Sequence, residues 1–365
     1  MPVMSIREQM MAVYRHQAPD HVPVATYNRY LPRGYDERMM RNVGVGIIDY
    51  LPVVTFLAPP CHVNPGYVSE VKGADLEIKF VWEHGEPIEI RTYRTPIGSV
   101  SLEVRKDPSY GSDWIRKYYI EKPEDYRIIQ YLVENTVLHR NEQAFRNRKS
   151  EMGADGVVLG RIDRTPYQKM LIELAGPERF FIDLYTNPEL VISTMEAMNK
   201  RNDEAFKMVL DSEAEIIWQA ENITSDLTPP NAFRKYCLPI YEKFAHLAHQ
   251  AGKSYYIHMD GALRPLKDLI AQSHFDGIES FSLPELGGGF TLPEAQAVWP
   301  GKVIIPNFPS PLCLQRDDTI EKYLENLKAE TGIDNPWMIE ISEDLPSNEW
   351  KRILPILTRV FINKK

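Results

Sequence analysis

The stretch Ser254-Tyr255-Tyr256-Ile257-His258-Met259-Asp260-Gly261 is the most informative part of this chain. It begins as a short, mostly apolar run typical of a buried strand and ends in a His-x-Asp pair. Alternate side chains of an extended segment point to the same side, so His258 and Asp260 can face one ligand together. One imidazole and one carboxylate suit a metal ion. A strand-end histidine hydrogen-bonded to its neighbouring aspartate would give the same pattern.

Apolar runs with the length of strands alternate with helical patterns on both sides of this segment. Eight such runs are predicted, at residues 22–27, 46–51, 157–162, 215–220, 254–258, 277–281, 303–307 and 337–341. Repeated strand-helix units require a parallel sheet, and eight of them predict a (β/α)8 TIM barrel in a single domain over residues 1–365. The alternative is an open doubly wound sheet, which would carry a glycine-rich phosphate loop after its first strand. Gly44-Val45-Gly46 lacks that context.

One region interrupts the alternation. Residues 65–105 contain runs of alternating apolar and polar residues separated by turn signals such as Glu83-His84-Gly85. This pattern predicts antiparallel hairpins inserted early in the barrel.

Composition excludes several classes of protein. The 365 residues carry a net charge of −9 without a concentrated basic region, which argues against nucleic-acid or anionic-membrane partners. Three scattered cysteines argue against a disulfide framework. No apolar run is long enough to cross a bilayer, and the N-terminus lacks the pattern of a secretory signal. We therefore expect a cytoplasmic protein with a small-molecule ligand or a protein partner, and leave a homodimer open.

The strand ends of a barrel share one mouth, where this sequence places many polar residues. They are Asp163, Arg164, Glu221, Asn222, His258, Asp260, Glu279, Asn307, Glu343 and Asp344. Crowded carboxylates need a counter-charge to stay ionised, so this set indicates a divalent cation such as zinc. Taken one at a time, Asp and Asn at such turns more often cap helices or bond to nearby backbone.

Several segments resemble a known family. They are Asp20-His21-Val22-Pro23-Val24, Arg29-Tyr30-Leu31-Pro32, Thr95-Pro96-Ile97-Gly98-Ser99 and residues 230–261, with Tyr241-Glu242-Lys243 before the His-x-Asp pair. Together they resemble the uroporphyrinogen decarboxylase superfamily, in particular its corrinoid-dependent methyltransferase branch. The decarboxylase branch carries an arginine-rich N-terminal loop and an acidic residue on the next strand. This chain has only Arg29 in that loop and no acid in residues 53–58.

The methyltransferase branch is similar in holding zinc through a His-x-Cys pair and a second cysteine on the final strand. At the matching positions this chain has His258-Met259-Asp260 and Ser342-Glu343, so both thiolates are replaced by carboxylates. The resemblance implies a metal held by His258, Asp260 and Glu343, with Glu221 as a fourth ligand. Oxygen ligands make the ion a harder Lewis acid and favour an oxygen-bound methyl group over a thiol. The implied reaction passes that methyl group to a corrinoid (cobalamin) carried by a partner protein.

Rings near the strand ends predict an aromatic, methoxylated substrate. The residues predicted to bind it are Tyr27, Arg29, Trp218, Tyr256, Phe281 and Asn307. Two other functions stay open: a decarboxylase or lyase acting on a small carboxylate, and a non-catalytic barrel that binds a ligand or a corrinoid protein.

Overall fold

The computed structural model describes residues 4–31, 34–55, 57, 69–106, 113–332 and 336–362. These residues form twelve strands: β1 (Val24–Tyr27), β2 (Gly46–Pro52), β3 (Asp75–Glu83), β4 (Glu86–Thr95), β5 (Gly98–Arg105), β6 (Trp114–Lys117), β7 (Gly156–Ile162), β8 (Ile216–Gln219), β9 (Ser254–His258), β10 (Gly277–Phe281), β11 (Val303–Pro306) and β12 (Ile339–Ile341).

The α-helices are α1 (Ile6–Tyr14), α2 (Tyr35–Asn42), α3 (Asp125–Asn135), α4 (Glu142–Met152), α5 (Pro166–Lys169), α6 (Gly176–Thr186), α7 (Pro188–Leu210), α8 (Pro230–Ala232), α9 (Leu238–Gln250), α10 (Lys267–Gln272), α11 (Leu292–Val298), α12 (Asp317–Thr331) and α13 (Trp350–Phe361). Local signals fix some of their ends. Thr291 and Glu294 form a capping box at the start of α11, as Ser5 and Glu8 do for α1. None of the described helices is long and apolar enough to span a membrane.

Eight strands form a parallel sheet in the order β11-β10-β9-β8-β7-β2-β1-β12. The two ends of this sheet meet where Asn307 and Glu340 form a parallel bridge and the Phe308 amide donates to the Glu340 carbonyl at 2.7 Å. The result is a nearly closed barrel with flanking helices. The predicted TIM barrel is confirmed, and each of the eight predicted strands is present to within two residues at its ends.

The chain divides into two compact units. One comprises residues 1–51, 143–161 and 213–365 and contains nearly all of the barrel; the other comprises 52–142 and 162–212. The second unit holds an antiparallel sheet in the order β3-β4-β5-β6, which confirms the predicted hairpins. Residues 65–68 of the predicted insertion lie outside the described residues. The sheet extends past residue 105 through β6, whose short run of Trp114-Ile115-Arg116-Lys117 gave no strong strand signal.

The interior of the barrel is apolar at the N-terminal ends of the strands. Tyr256 lies there, fully buried against Tyr14 of α1 with ring centroids 5.0 Å apart, and its hydroxyl donates to the Tyr14 carbonyl at 3.0 Å. Residues two apart on a strand face the same side, so His258 follows Tyr256 on the inward side, one layer nearer the C-terminal ends. Polar residues are thereby collected at that end of the barrel.

Candidate metal centre

Three side chains converge at the C-terminal ends of the strands. His258 ends β9, Asp260 follows two residues later, and Glu343 lies just after β12. The His258 Nε2 atom lies 3.6 Å from Asp260 Oδ2 and 3.4 Å from Glu343 Oε1. One ligand atom from each of the three residues lies within 4.8 Å of the other two. The sequence predicted that these residues would meet, and the fold brings them together.

A buried carboxylate stands behind the imidazole. Glu279 of β10 lies directly opposite His258 in the parallel register, and its Oε2 atom is 2.6 Å from His258 Nδ1. Trp218 Nε1 donates to the same carboxylate at 2.8 Å, and the Tyr27 hydroxyl donates to its other oxygen. A carboxylate can only accept, so Nδ1 carries a proton. The second ring nitrogen, Nε2, is thus the one directed toward Asp260 and Glu343.

The electrostatics of this group are those of an ion cluster in which His258 and Glu279 are buried and Asp260 and Glu343 are half-buried. Burial by itself would lower the pKa of His258, but the charge of Glu279 and hydrogen bonds to Asp260, Glu279 and Glu343 raise it well above its ordinary value. Burial opposes ionisation of Glu279 and Asp260, yet interaction with His258 lowers the pKa of both. The isolated cluster therefore favours an imidazolium among carboxylates, and a cation bound at Nε2 would take the place of that proton.

Asp260 is held by the loop after β8. Asn222 Nδ2 donates to Asp260 Oδ2 at 2.7 Å, from a backbone position in the left-handed region (φ 55°) that asparagine tolerates. Gly261 allows the loop after β9 to approach the loop after β8 closely. A Cβ atom at this position would lie 2.3 Å from the Thr224 Cβ, so a larger residue would push Asp260 away from Asn222.

Glu343 is held by a serine at an irregular point of β10. Ser280 has a φ of 58°, and the register between β10 and β11 shifts between Ile278 and Phe281. A non-glycine residue in this region costs on the order of 1–3 kcal/mol and persists only where its surroundings impose it. In this conformation Ser280 Oγ donates to Glu343 Oε1 at 3.0 Å. The irregularity thus orients one of the three converging side chains.

Asn307 and Glu340 lie beneath this arrangement. Asn307 Oδ1 accepts the Ser342 amide at 3.0 Å and the Glu343 amide at 3.3 Å, which fixes the turn after β12. Burial raises the pKa of Glu340 well above its ordinary value, and the charge of Glu279 raises it further. These effects favour the neutral acid form of Glu340, which would not add to the negative charge around His258.

The remaining predicted residues fall into two groups. Tyr27 and Trp218 lie at the site, only 2% and 3% exposed, and both support Glu279. Arg29 lies nearby on the loop after β1, with its guanidinium 4.6 Å from the Tyr30 ring centroid and 3.8 Å from Asp344.

The other group lies elsewhere. Tyr256 packs in the apolar layer with Tyr14, and Phe281 packs edge-on against Trp299 at 6.4 Å between ring centroids. Glu221 is fully buried and accepts a hydrogen bond from Tyr241 of α9 at 2.7 Å. Glu221 is absent from the three-residue group, and its role as a fourth ligand stays a prediction.

Sequence reasoning gave Glu279 no role of its own. The available signal was its position near the end of a strand adjacent to β9, which already placed it at the barrel mouth. Only the register shows that it faces His258 directly.

The side chains present fit a metal ion of the zinc type. One nitrogen and two oxygen donors converge, which leaves a fourth position for a substrate atom. A tetrahedral ion with bonds of about 2.0–2.1 Å separates its ligand atoms by about 3.3 Å, close to the 3.4 and 3.6 Å seen here. The contact of Glu279 with Nδ1 is the carboxylate-histidine support common at such sites.

Comparison with known proteins gives a consistent result. Residues 169–324 match the model of the uroporphyrinogen decarboxylase (URO-D) family. No curated protein matches the chain. Among solved structures, a methyltransferase from Methanosarcina mazei aligns with a TM-score of 0.55 at 13% identity, over 98% of this chain and 97% of that one. At this identity the likeness establishes a shared fold. The resemblance to the uroporphyrinogen decarboxylase superfamily is thus confirmed over residues 169–324.

Proposed function

We propose that this chain is a zinc-dependent methyltransferase that removes an oxygen-bound methyl group from a small substrate and passes it to a corrinoid protein. The observation that carries the proposal is the convergence of His258 Nε2, Asp260 and Glu343 at the mouth of the barrel. The family resemblance and the methyltransferase fold support the same reaction class.

His258, Asp260 and Glu343 would hold the ion. A bound zinc ion supplies Lewis acidity to an oxygen atom of the substrate, which lowers the cost of the negative charge left when the methyl group departs. Glu279 keeps a proton on Nδ1, so the imidazole offers Nε2 in a fixed orientation. Asn222 and Ser280 keep the two carboxylates directed at the same point.

The donor set favours oxygen over sulfur in the substrate. Two carboxylates and one imidazole make a harder site than one containing thiolates, and a hard site binds an ether or phenol oxygen better than a thiol. Tyr27, Tyr30 and Tyr50 form a ring cluster, with Tyr27 5.2 Å from Tyr50 between centroids, and the Tyr27 hydroxyl lies 3.4 Å from His258 Nδ1. This cluster supports an aromatic methoxylated substrate, and Arg29 would face a carboxylate on it.

The methyl acceptor is proposed from the resemblance alone. A corrinoid bound to a separate small protein would receive the methyl group, and free reduced cobalamin serves as its laboratory substitute.

The first test is metal content. We expect the purified protein to bind about one equivalent of zinc after incubation with the ion, and His258→Ala to bind less than about a tenth as much, because the only nitrogen donor of the group is lost. His274→Ala is the matched control: it removes an exposed histidine that also pairs with a carboxylate, Glu242. Binding of less than about half an equivalent by the parent protein would overturn the metal proposal.

The second test is methyl transfer. Parent protein, zinc and reduced cobalamin are mixed with methoxylated benzoates, and methylcobalamin is followed by its absorbance. We expect transfer with the parent and with His274→Ala, and its loss with His258→Ala. Equal transfer by His258→Ala and the parent would show that the site is misplaced.

A decarboxylase acting on a small carboxylate is the second candidate, favoured by the family match over residues 169–324. It predicts release of carbon dioxide that is unaffected by removal of zinc. Detecting that release, without methyl transfer, would replace the first proposal.

A further inference from the structure

The edge strand β3 exposes large apolar side chains on one of its faces. Ile78, Phe80 and Trp82 are 39%, 64% and 73% exposed. They occupy alternate positions, so they point to the same face of the sheet. Three large apolar residues in a row on a nine-residue strand form an apolar stripe that faces outside the chain.

Among the described strands, β3 pairs only with β4, so its other edge has no strand partner in the described part of the chain. Open edges invite pairing with another strand, and natural proteins usually blunt them with short strands or charges. The opposite edge of the same sheet follows this rule: β6 has four residues, two of which are Arg116 and Lys117. β3 is long and regular, and its register with β4 is unbroken from Asp75 to Glu83.

We propose that β3 is an interface with a second copy of this chain, formed by antiparallel pairing of the two β3 strands about a twofold axis at Ile78. In this register Glu77 lies opposite Lys79 of the second copy, and the reverse pair forms by symmetry. Leu76 lies opposite Phe80, again twice. The apolar stripes of the two copies join on one face, while two ion pairs form on the other.

Charge selects this register from the alternatives. Directly opposed residues share a face, so an axis between two residues would place the two apolar stripes on different faces. An axis at Glu77 or Lys79 opposes that residue to its own copy, and an axis at Phe80 opposes Glu77 to Glu83. Each of these brings like charges together.

Axes at Trp82 and Val81 also oppose no like charges. The Trp82 axis joins only residues 81–83 within the strand, and the Val81 axis pairs Lys79 with Glu83. The Val81 axis joins only residues 79–83 within the strand, whereas the axis at Ile78 joins residues 75–81. Both axes use a carboxylate that already has a partner in its own chain: Glu83 pairs with Arg116 at 2.6 Å, and Glu77 pairs with Lys79 and Arg94, each at 2.9 Å. The length of the contact therefore favours the Ile78 axis.

The test uses charge reversal in the full chain, followed by sedimentation velocity at micromolar concentration. We expect a dimer for the parent and monomers for Glu77→Lys and for Lys79→Glu, since each variant opposes like charges twice. Mixing the two variants should restore a dimer. One chain of the mixed pair carries lysine at both positions 77 and 79, and the other carries glutamate at both, so each contact between positions 77 and 79 joins opposite charges. Circular dichroism spectra that match the spectrum of the parent would show that both variants fold, whereas their melting temperatures can fall with the loss of the dimer.

Three outcomes would overturn the proposal. The parent could be monomeric throughout, both variants could remain dimeric, or Glu77→Lys alone could remain dimeric, which would place the axis at Val81. A cross-linking measurement checks the same point independently. In a Cys61→Ser background, Ile78→Cys should form an intermolecular disulfide on mild oxidation. Ile97→Cys, exposed on the turn between β4 and β5, should not.

Discussion

Strands β9 and β3 differ in the burial of their apolar side chains. β9 has five residues, and the last four, including a histidine, are buried. β3 has nine residues, and none of them is buried, although Ile78, Phe80, Val81 and Trp82 are as apolar as any in β9. β9 lies between β8 and β10 and packs under α9, whereas β3 has one neighbour among the described strands. Burial is therefore set by the neighbours of a strand rather than by its composition.

The same contrast in burial distinguishes the charged site in the barrel from the apolar face of β3. In the barrel, the charged groups around His258 are buried or half-buried, and Glu279 is held by His258, Tyr27 and Trp218. Such an arrangement is stable only when the charges are compensated, which indicates a cation. In the sheet, apolar groups are exposed, which indicates a partner outside the chain.

The largest expected effect is on stability. Phe281→Ala should lower the free energy of unfolding by about 3–5 kcal/mol, because it opens a cavity beside Trp299. Phe80→Ala removes a phenyl ring of the same size from β3. It should change the free energy of unfolding by no more than about 0.5 kcal/mol under conditions where the protein is monomeric. Urea denaturation of both variants measures the difference. Equal losses would show that β3 is buried in solution.

A smaller effect should follow from Glu279→Gln. The amide keeps the size of the side chain but removes the charge that holds the proton on His258 Nδ1. We expect zinc to bind about 10–100-fold more weakly. Competition with a chelator measures the affinity, and Glu285→Gln, which alters an exposed carboxylate, provides the control. Unchanged affinity in Glu279→Gln would mean that the imidazole is held without its buried partner.

The smallest effect concerns Lys302, a half-buried lysine immediately before β11. Burial lowers the pKa of Lys302 to about 8, while Glu242 and Asp276 act in the opposite direction. The folded protein therefore binds fewer protons than the unfolded chain between about pH 8 and the ordinary lysine pKa of about 10.4, so stability from this group rises with pH across that range.

Lys302→Met should abolish that contribution. Melting temperatures of parent and variant, measured from about pH 7 to pH 10, should diverge above about pH 8 as the parent gains relative to Lys302→Met. Parallel curves would contradict the assignment and would place the ammonium in contact with water.

The sequence by itself determined the barrel and the members of its polar mouth. Apolar periodicity is a local property, so all eight parallel strands could be read from it. A strand end is also local, and the barrel brings all such ends to one mouth, so His258, Asp260 and Glu343 could be predicted to meet.

Only the tertiary structure decided which face each side chain presents. Glu221 turns toward Tyr241 of α9, and the irregularity at Ser280 orients Glu343. Glu279 lies opposite His258 because of the register between β9 and β10. The exposure of β3 could not be predicted from the sequence either, because a buried strand and an exposed strand can have the same alternating pattern of apolar and polar residues. These features depend on which strands become neighbours, and neighbours are chosen by the packing of the whole chain.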